Sequence, residues 1–261
     1  MYAVAGAVAR LTINRPERRN ALSWSTVGLL RAALAEARAD GAVRVVVLTG
    51  AGDRAFCAGA DLKDVAGGAA AGGGPADLGG LFADLWSLGK PTVARVRGYA
   101  LAGGFGLAAA CDLVVAADDA VFGVPEIDVG LWPFVASVPL VRAMAPRRAL
   151  ELMMTGRRVG AEEGERLGFV TQVVPVAGLD TAVDELAAAL AAKPPGAMRR
   201  GKDSFYATAG LDASRALEVL HPMLAAALAS DEAAEGAAAF AARRPPAWAV
   251  PAEGDGPDPG R

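Results

Sequence analysis

The residue best suited to acid–base chemistry is a single glutamate, Glu126. It follows Pro125 after a predicted buried strand and precedes the apolar segment IDVGLWPF, so the sequence predicts apolar surroundings for its carboxyl group. Desolvation raises the pKa of a carboxyl group towards neutrality, which suits a general acid or base. An ion pair between Glu126 and a nearby arginine is an equally weighted alternative.

Two turns rich in small residues are candidates for binding negative charge. One is the segment AGAD, which contains Ala60, and the other is the pair Gly103-Gly104 at the predicted start of a helix. Small residues allow backbone N–H groups to turn inward, and the first N–H groups of a helix favour an anion. Two such donors aimed at one point form an oxyanion hole. Together with one buried base, they predict enolate chemistry on a carbonyl compound.

Other chemistries find less support in the residues. The only histidine, His221, precedes Pro222 at an expected helix break, and no GxSxG motif accompanies it, so we do not predict a hydrolytic triad. With one histidine, no CxxC pair and no evident carboxylate cluster, we predict no metal site. The segment GFGLAA, from Gly104, imitates a dinucleotide-binding loop. However, Gly98 ends the preceding strand too early for the tight turn that a pyrophosphate needs.

The composition predicts a soluble, compact protein with a large core. Of its 261 residues, 53% are hydrophobic and 21% are charged, which excludes disorder for the bulk of the chain. A net charge of −3, without a basic block, argues against nucleic-acid binding. The two cysteines, Cys57 and Cys111, fit a reducing compartment, so we expect a cytoplasmic protein. Cys57 is interpreted as apolar core filler.

Neither apolar stretch of the sequence predicts a membrane segment. The N-terminus lacks the basic region of a signal peptide and soon reaches Arg10. Residues Tyr99 to Ala117 are apolar apart from Asp112, but glycines interrupt them. We therefore expect a buried helix followed by a buried strand, and no membrane association.

The order of predicted elements indicates an α/β core followed by helices. Ser23 or Ser25 is expected to cap a first helix that ends at Gly41, and a mobile loop is expected over Ala66–Pro75. The predicted strands are Ala7–Ile13, Val43–Thr49, Thr92–Val96, Leu113–Ala116, Val121–Phe122 and Val170–Pro175. The later predicted helices are Leu179–Ala191, Asp212–Leu228 and Ser230–Ala242. We predict a core over residues 1–190, a helical region over 191–248 and a flexible tail over 249–261.

Five motifs, in this order along the chain, resemble the enoyl-CoA hydratase/isomerase, or crotonase, family. They are NRPERRNAL, AFCAGADL, GYALAGGFGLAAACDLVVA, FGVPEIDVGL and TGRRVGAEEGERLGFVTQVVP. The resemblance implies an α/β fold, a crotonase-like spiral of β-β-α units with a C-terminal helical trimerisation region. It also implies an acyl-CoA thioester substrate, with coenzyme A as part of the substrate and no separate cofactor, and a homotrimer or dimer of trimers.

The same resemblance implies roles for particular residues. The oxyanion donors fall on the N–H groups of Ala60 and Gly103, in the two turns chosen independently above. Arg18 and Arg19 suit the phosphates of coenzyme A, although a solvated turn explains them equally well, and Phe240 is expected to reach the coenzyme A of a neighbouring subunit. The implied substrate-binding residues are Arg18, Ala21, Ala58, Asp61, Leu62, Gly104, Pro125 and Leu131.

The chain departs from the family's two-glutamate hydratases at Gly106, where those enzymes carry one of the pair. Phe134 stands where dienoyl-CoA isomerases have an acid, and Asp128 is expected to point to the other face of a strand-like stretch. Shuttling a proton between C2 and C4 needs only one base, whereas hydration must also activate water. We therefore expect isomerisation of enoyl-CoA by Glu126. Hydration, non-catalytic acyl-CoA binding and another enolate reaction such as decarboxylation remain alternatives.

Overall fold

The computed structural model describes residues 1–61 and 75–249, and the strands come from both ranges. The strands are β1 (Tyr2–Ala5), β2 (Val8–Ile13), β3 (Val45–Gly50), β4 (Ala55–Cys57), β5 (Thr92–Val96), β6 (Tyr99–Leu101), β7 (Leu113–Ala117), β8 (Val121–Gly123), β9 (Val159–Gly160) and β10 (Gln172–Val174).

The helices dominate the second half of the chain. They are α1 (Trp24–Ala39), α2 (Pro75–Trp86), α3 (Gly103–Ala110), α4 (Phe134–Ala143), α5 (Pro146–Thr155), α6 (Ala161–Leu167), α7 (Leu179–Ala191), α8 (Pro195–Thr208), α9 (Ala213–Leu228) and α10 (Asp231–Ala242). Short 3-10 helices cover Pro16–Arg18, Pro125–Val129 and Val176–Gly178.

A six-stranded sheet forms the centre of the core, with strand order β1-β2-β3-β5-β7-β10. All its pairs are parallel except the hairpin between β1 and β2. All six residues of β3 are buried, as its unbroken β-branched pattern predicts, because helices cover both faces of a parallel sheet. Helix α7 packs on one face, and α1 and α2 pack on the other.

A second sheet carries shorter strands in the order β4-β6-β8-β9. Strands β4, β6 and β8 pair in parallel, with Cys57 opposite Ala100 and Leu101 opposite Gly123. Each of these three strands has three residues, which is too short for a periodic pattern to reveal. The sequence therefore did not predict β4 or β6. Of these three strands, only β8 was predicted.

The longer predicted elements are confirmed with small changes at their ends. The N–H of Thr26 donates to Ser23 Oγ at 3.1 Å, so Ser23 caps α1, and the helix ends at Ala39 rather than Gly41. The chain opens with β1, a strand that was not predicted. The expected helix break at His221 was wrong, because α9 continues through His221 and Pro222.

Two further expectations have different outcomes. The expected loop over Ala66–Pro75 lies outside the described residues, except that Pro75 begins α2. In the parts of the chain that the structure describes, no helix is both long enough and apolar enough to cross a bilayer.

A buried ionic cluster attaches helix α8 to the start of β7. The ammonium of Lys202 donates to Asp112 Oδ2 at 2.7 Å and to the carbonyl of Lys90 at 2.9 Å. The Tyr206 hydroxyl donates to Asp112 Oδ1 at 2.7 Å, and the Thr92 N–H and hydroxyl reach Oδ2 at 2.7 and 2.8 Å. Burial lowers the pKa of Lys202, against the opposing pull of Asp112. The Asp112 carboxylate thus depends on donors from the helical region for its neutralisation.

Replacing Lys202 with Met should destabilise the protein by about 3 kcal/mol, because the mutation leaves a largely buried carboxylate without its cation. Equilibrium unfolding in urea measures this change. Lys193→Met is the matched control, because Lys193 is exposed and its replacement should change the free energy of unfolding by less than about 0.5 kcal/mol. Equal losses in the two variants would contradict a role for the cluster.

Candidate active site

Three neighbouring parallel strands bring the predicted catalytic residues to one edge of the second sheet. Ala60 follows the end of β4, Gly103 follows the end of β6, and Glu126 follows the end of β8. Because these strands run in parallel, their carboxyl ends lie side by side. The N–H of Ala102 donates to the carbonyl of Gly123 at 2.8 Å, which fixes the turn after β6 against the end of β8.

The two turns that precede the predicted donors contact each other closely. A Cβ atom added to Gly59, where φ is +95°, would lie 2.6 Å from Ala102 Cβ and 3.4 Å from the Gly103 nitrogen. Ala102 has φ 54° and ψ −131°, a conformation that costs a residue with a side chain about 1–3 kcal/mol. Strain of this kind persists only where the surrounding structure imposes it, and here it sets the direction of the next peptide N–H.

The N–H groups of Ala60 and Gly103 are both free for a ligand. Within residues 1–61 and 75–249, neither group donates a hydrogen bond to a protein acceptor. Gly103 is the first residue of α3, so the positive end of the helix dipole adds to its attraction for an anion. The next residue, Gly104, lies so close to the carbonyl of Cys57 that any Cβ would collide with it. These contacts support the predicted oxyanion donors.

Glu126 lies in the 3-10 helix that directly follows β8. Its Oε2 is buried and accepts no hydrogen bond from the described residues, and no salt bridge to it occurs among them. Burial raises the pKa of this carboxyl group, and a hydrogen bond from its own backbone N–H opposes the rise in part. The arginine ion pair weighed as an alternative is therefore absent from the described parts of the chain. Glu126 has the properties of a general base.

The backbone around Glu126 differs from the strand-like stretch that the sequence suggested. Pro125 opens the 3-10 helix and is half-buried, and the N–H of Leu131 donates to the carbonyl of Glu126 at 2.9 Å. Leu131 itself is 51% exposed. Asp128 faces Gly156, where an added Cβ would lie 3.2 Å from Asp128 Oδ1. Because the segment is a helical turn, the rotation of the helix separates the side chains of Glu126 and Asp128. The predicted alternation between the two faces of a strand does not apply here.

The turns expected to hold coenzyme A lie beside each other. The N–H of Ala58 donates to the carbonyl of Arg19 at 3.0 Å, and the N–H of Leu22 donates to the carbonyl of Gly59 at 2.7 Å. Ala21 is half-buried between them, and Arg18 is exposed to solvent. Leu62 lies outside the described residues. The structure thus brings together the remaining predicted residues of both turns.

Sequence reasoning missed two residues that organise these turns. The side chain of Asn20 is buried, at 0% exposure, and its Nδ2 donates to the carbonyls of Ala51 and Ala55 at 2.9 and 2.7 Å. Arg15 donates to the Ala21 carbonyl at 2.7 Å and to Asp61 Oδ2 at 2.9 Å. The only local signal was the asparagine in the turn, since Asn tolerates the positive φ of 56° that Asn20 adopts.

A cavity of about 220 Å³ adjoins these turns, and it includes another residue that the sequence analysis overlooked. Arg19 and Arg54 line it together with Asn20, Gly52 and Asp53. Guanidinium groups suit phosphate oxygens, so this wall extends the basic surface predicted from Arg18 and Arg19. Phe240 lies far along the chain on α10 and is 87% exposed.

Gly106 lies in α3 at a close helix–helix contact. An added Cβ would lie 3.0 Å from both Cα and Cβ of Ala136 on α4, and 3.1 Å from Cζ of Phe82 on α2. Phe82 and Ala136 are 1% and 3% exposed. Hydrocarbon therefore occupies the space beside Gly106. Within the described ranges, no group of three or more histidine, cysteine or acidic side chains is arranged to hold a metal ion.

The whole architecture matches that of solved structures with the crotonase fold. The enoyl-CoA hydratase of Mycobacterium smegmatis superposes with a TM-score of 0.88 at 34% identity, covering 95% of this chain and 98% of that one. The Pseudomonas aeruginosa protein AtuE superposes with a TM-score of 0.89 at 36% identity, covering 96% and 99% of the two chains. The fold is thus the crotonase-like α/β fold that the motifs implied.

Sequence comparison identifies the family. Residues 3–251 match the family model described as enoyl-CoA hydratase/isomerase, and the chain belongs to that family of acyl-CoA enzymes. Carnitinyl-CoA dehydratase of Escherichia coli K12 is 37% identical over 250 residues, which cover 93% of this chain and 95% of the relative.

Glu126→Gln should make the stability of the protein less dependent on pH. Because burial raises the pKa of Glu126, the folded wild type gives up this proton less readily than the unfolded chain. The wild type should therefore lose stability relative to the variant as the pH rises from about 4 to about 7. Urea unfolding of both proteins across this range measures the free energy of unfolding of the wild type minus that of the variant. A difference that stays constant or increases with rising pH would contradict the burial of Glu126.

Proposed function

We propose that the protein isomerises the double bond of enoyl-CoA thioesters with Glu126 as its single acid–base group. The observation that carries the proposal is the buried Glu126 oxygen that no described donor contacts, with hydrocarbon in place of a second carboxylate at Gly106. A single base that returns the proton it takes is sufficient for double-bond migration. Hydration would need a second group to activate water.

The reaction would proceed through a thioester enolate. Glu126 removes a proton from C2 of a 3-enoyl-CoA, and the electron pair moves towards the thioester oxygen. The N–H groups of Ala60 and Gly103 stabilise the negative charge on that oxygen. Glu126 then returns the proton to C4, so that the double bond lies between C2 and C3. Atoms balance without water or a redox partner, and the raised pKa of Glu126 makes its carboxylate a stronger base for the first proton transfer.

The substrate would bind through the two turns beside the catalytic edge. The turn around Arg18 and Ala21 would hold coenzyme A together with Ala58 and Asp61, and the Arg15–Asp61 ion pair at 2.9 Å would keep them in register. Arg19 and Arg54 would bind phosphate oxygens in the 220 Å³ cavity. The exposed Leu131 would contact the acyl group.

Hydration, or its reverse, is the second candidate function. It is favoured by the relatives named carnitinyl-CoA dehydratase, including that of Proteus mirabilis, which is 36% identical over 255 residues. The packing around Gly106 argues against it, because the three atoms nearest to a Cβ at this position are all carbon atoms, from Ala136 and Phe82.

The proposal includes assembly into a homotrimer or a dimer of trimers, as the family resemblance implies. Its support is the number of apolar side chains that α9 and α10 leave exposed. Leu217, Leu224 and Leu228 are 56%, 58% and 70% exposed, and Phe240 is 87% exposed. Burial between subunits would remove this apolar area from water.

Product analysis with a 2-enoyl-CoA and a 3-enoyl-CoA of medium chain length, supplied separately, tests the proposal. The wild type should convert the 3-enoyl compound to the 2-enoyl compound and form little 3-hydroxyacyl-CoA. Glu126→Gln should lower the rate by about 10²–10⁴-fold. Asp128→Asn is the matched control, because it removes an exposed carboxylate from the same 3-10 helix, and its rate should stay near that of the wild type. Abundant 3-hydroxyacyl-CoA from the wild type would establish hydration instead.

A glutamate at position 106 should introduce hydration only when the packing is relieved. Gly106→Glu alone should destabilise the protein by about 1–3 kcal/mol, because its Cβ meets Ala136 and Phe82. The double variant Gly106→Glu/Ala136→Gly should recover part of this loss and form 3-hydroxyacyl-CoA from a 2-enoyl-CoA. Ala136→Gly alone serves as the control and should not gain hydration. A folded double variant without hydratase activity would show that Gly106 does not decide the reaction.

A further inference from the structure

A second cavity lies at the amino ends of β3 and β5, at the opposite end of the six-stranded sheet from the strand ends that lead to the catalytic edge. Its volume is about 250 Å³, and residues from the end of α1 and the start of α8 complete its wall. No acidic residue lines it, although the whole chain has a net charge of −3. The cationic residues of the lining are Arg38, Arg44, Lys90, Lys193 and Arg199.

Two arginines of the lining, one just before β3 and one on α1, donate to neutral acceptors. Arg44 Nη1 donates to the carbonyls of Ala191 and Trp248 at 3.1 and 2.6 Å. Arg38 Nη2 donates to the carbonyl and Oγ of Ser87 at 2.9 and 3.0 Å. These contacts fix the orientation of both guanidinium groups but leave their charges without a bonded carboxylate in the described structure. Each arginine has five N–H donors, so donors remain for a ligand.

Lys90 contributes a partly desolvated ammonium group. Its Nζ donates to the carbonyls of Ala37 and Asp40 at 2.5 and 2.6 Å, at the end of α1. Burial lowers the pKa of Lys90, and attraction to the Asp40 carboxylate opposes this only in part. An anion in the cavity would stabilise the charged form of Lys90, as water does for exposed lysines.

Three carboxylates that neighbour the lining residues also contact other groups. Asp40 Oδ1 accepts from the N–H of Ala42 at 2.8 Å. Glu232 accepts from the N–H of Gly196 at 2.7 Å and from Arg200 at 3.1 Å. The carboxylate of Asp203 lies 3.9 Å from Arg199, at the outer limit of an ion pair. The positive charge in the cavity is therefore only partly offset by its surroundings.

We propose that this cavity is a binding site for a phosphate or pyrophosphate group. Planar guanidinium groups bind phosphate oxygens in pairs, and a lysine adds a point charge. Lys193 and Arg199 are exposed at the rim and are able to close on the anion from the α8 side. The site is separate from the cavity at Arg19 and Arg54, and it is not needed for the chemistry at Glu126.

Calorimetric titration of the full-length protein with pyrophosphate, at constant ionic strength, tests this site. Saturating coenzyme A is present throughout, so that the substrate turns are already filled. The wild type should bind one pyrophosphate per chain, and Lys193→Ala/Arg199→Ala should weaken binding by about tenfold or more, since it removes two charge-assisted contacts. Both replaced side chains are exposed, so the thermal unfolding of the variant should match that of the wild type.

The matched control is Arg147→Ala/Arg148→Ala, which removes two adjacent exposed arginines from α5. It should bind pyrophosphate as the wild type does. Equal weakening in both double variants would mean that the protein attracts an adventitious ion only, and would overturn the proposal. Binding that occurs only when coenzyme A is left out would assign the phosphate to the substrate turns and would overturn it too.

Discussion

The parallel register of β4, β6 and β8 is the constraint on which the site depends. With Cys57 opposite Ala100 and Leu101 opposite Gly123, the chain leaves all three strands along one edge. A slip of one residue would turn every following peptide to the other face, and the two N–H donors would no longer be directed to one region. The contact of Gly104 with the backbone of β4 holds helix α3 in the matching position. A few strand pairs therefore determine where the two predicted donors and Glu126 lie.

The two predicted oxyanion donors have no acceptor in the described parts of the chain, and side chains fix the turns around them. Side chains of Asn20 and Arg15 take up the carbonyls that the adjoining turns would otherwise leave unpaired. The strained Ala102 then directs the first N–H of α3 away from protein acceptors. In free peptides such a turn would relax, so its persistence reflects packing by the sheet and by α2, where Leu78 lies against Gly103. The backbone that carries the two predicted oxyanion donors is therefore held in place by its neighbours rather than by its own sequence.

The sequence allowed prediction of those features that depend on local pattern or on recognisable motifs. The cap of α1 at Ser23, the continuous burial of β3 and the apolar setting of Glu126 all follow from residues near each other in the chain. The three-residue strands carry no such pattern. Asn20 and its carbonyl partner at Ala51 are 31 residues apart, and Arg15 and Asp61 are 46 residues apart. Contacts across such separations exist only after the fold has formed, so no local rule points to them.

The buried ionic cluster around Asp112 joins parts of the chain that are synthesised at different times. Asp112 begins the strand β7 region, yet two of its donors, Lys202 and Tyr206, follow it by 90 and 94 residues. During synthesis from the N-terminus, the core strands leave the ribosome well before these donors exist. Until then water must solvate the Asp112 carboxylate, and the start of β7 cannot become fully buried. We therefore expect the sheet to reach its final packing only after α8 has been translated, so that the last quarter of the chain is needed to complete the core.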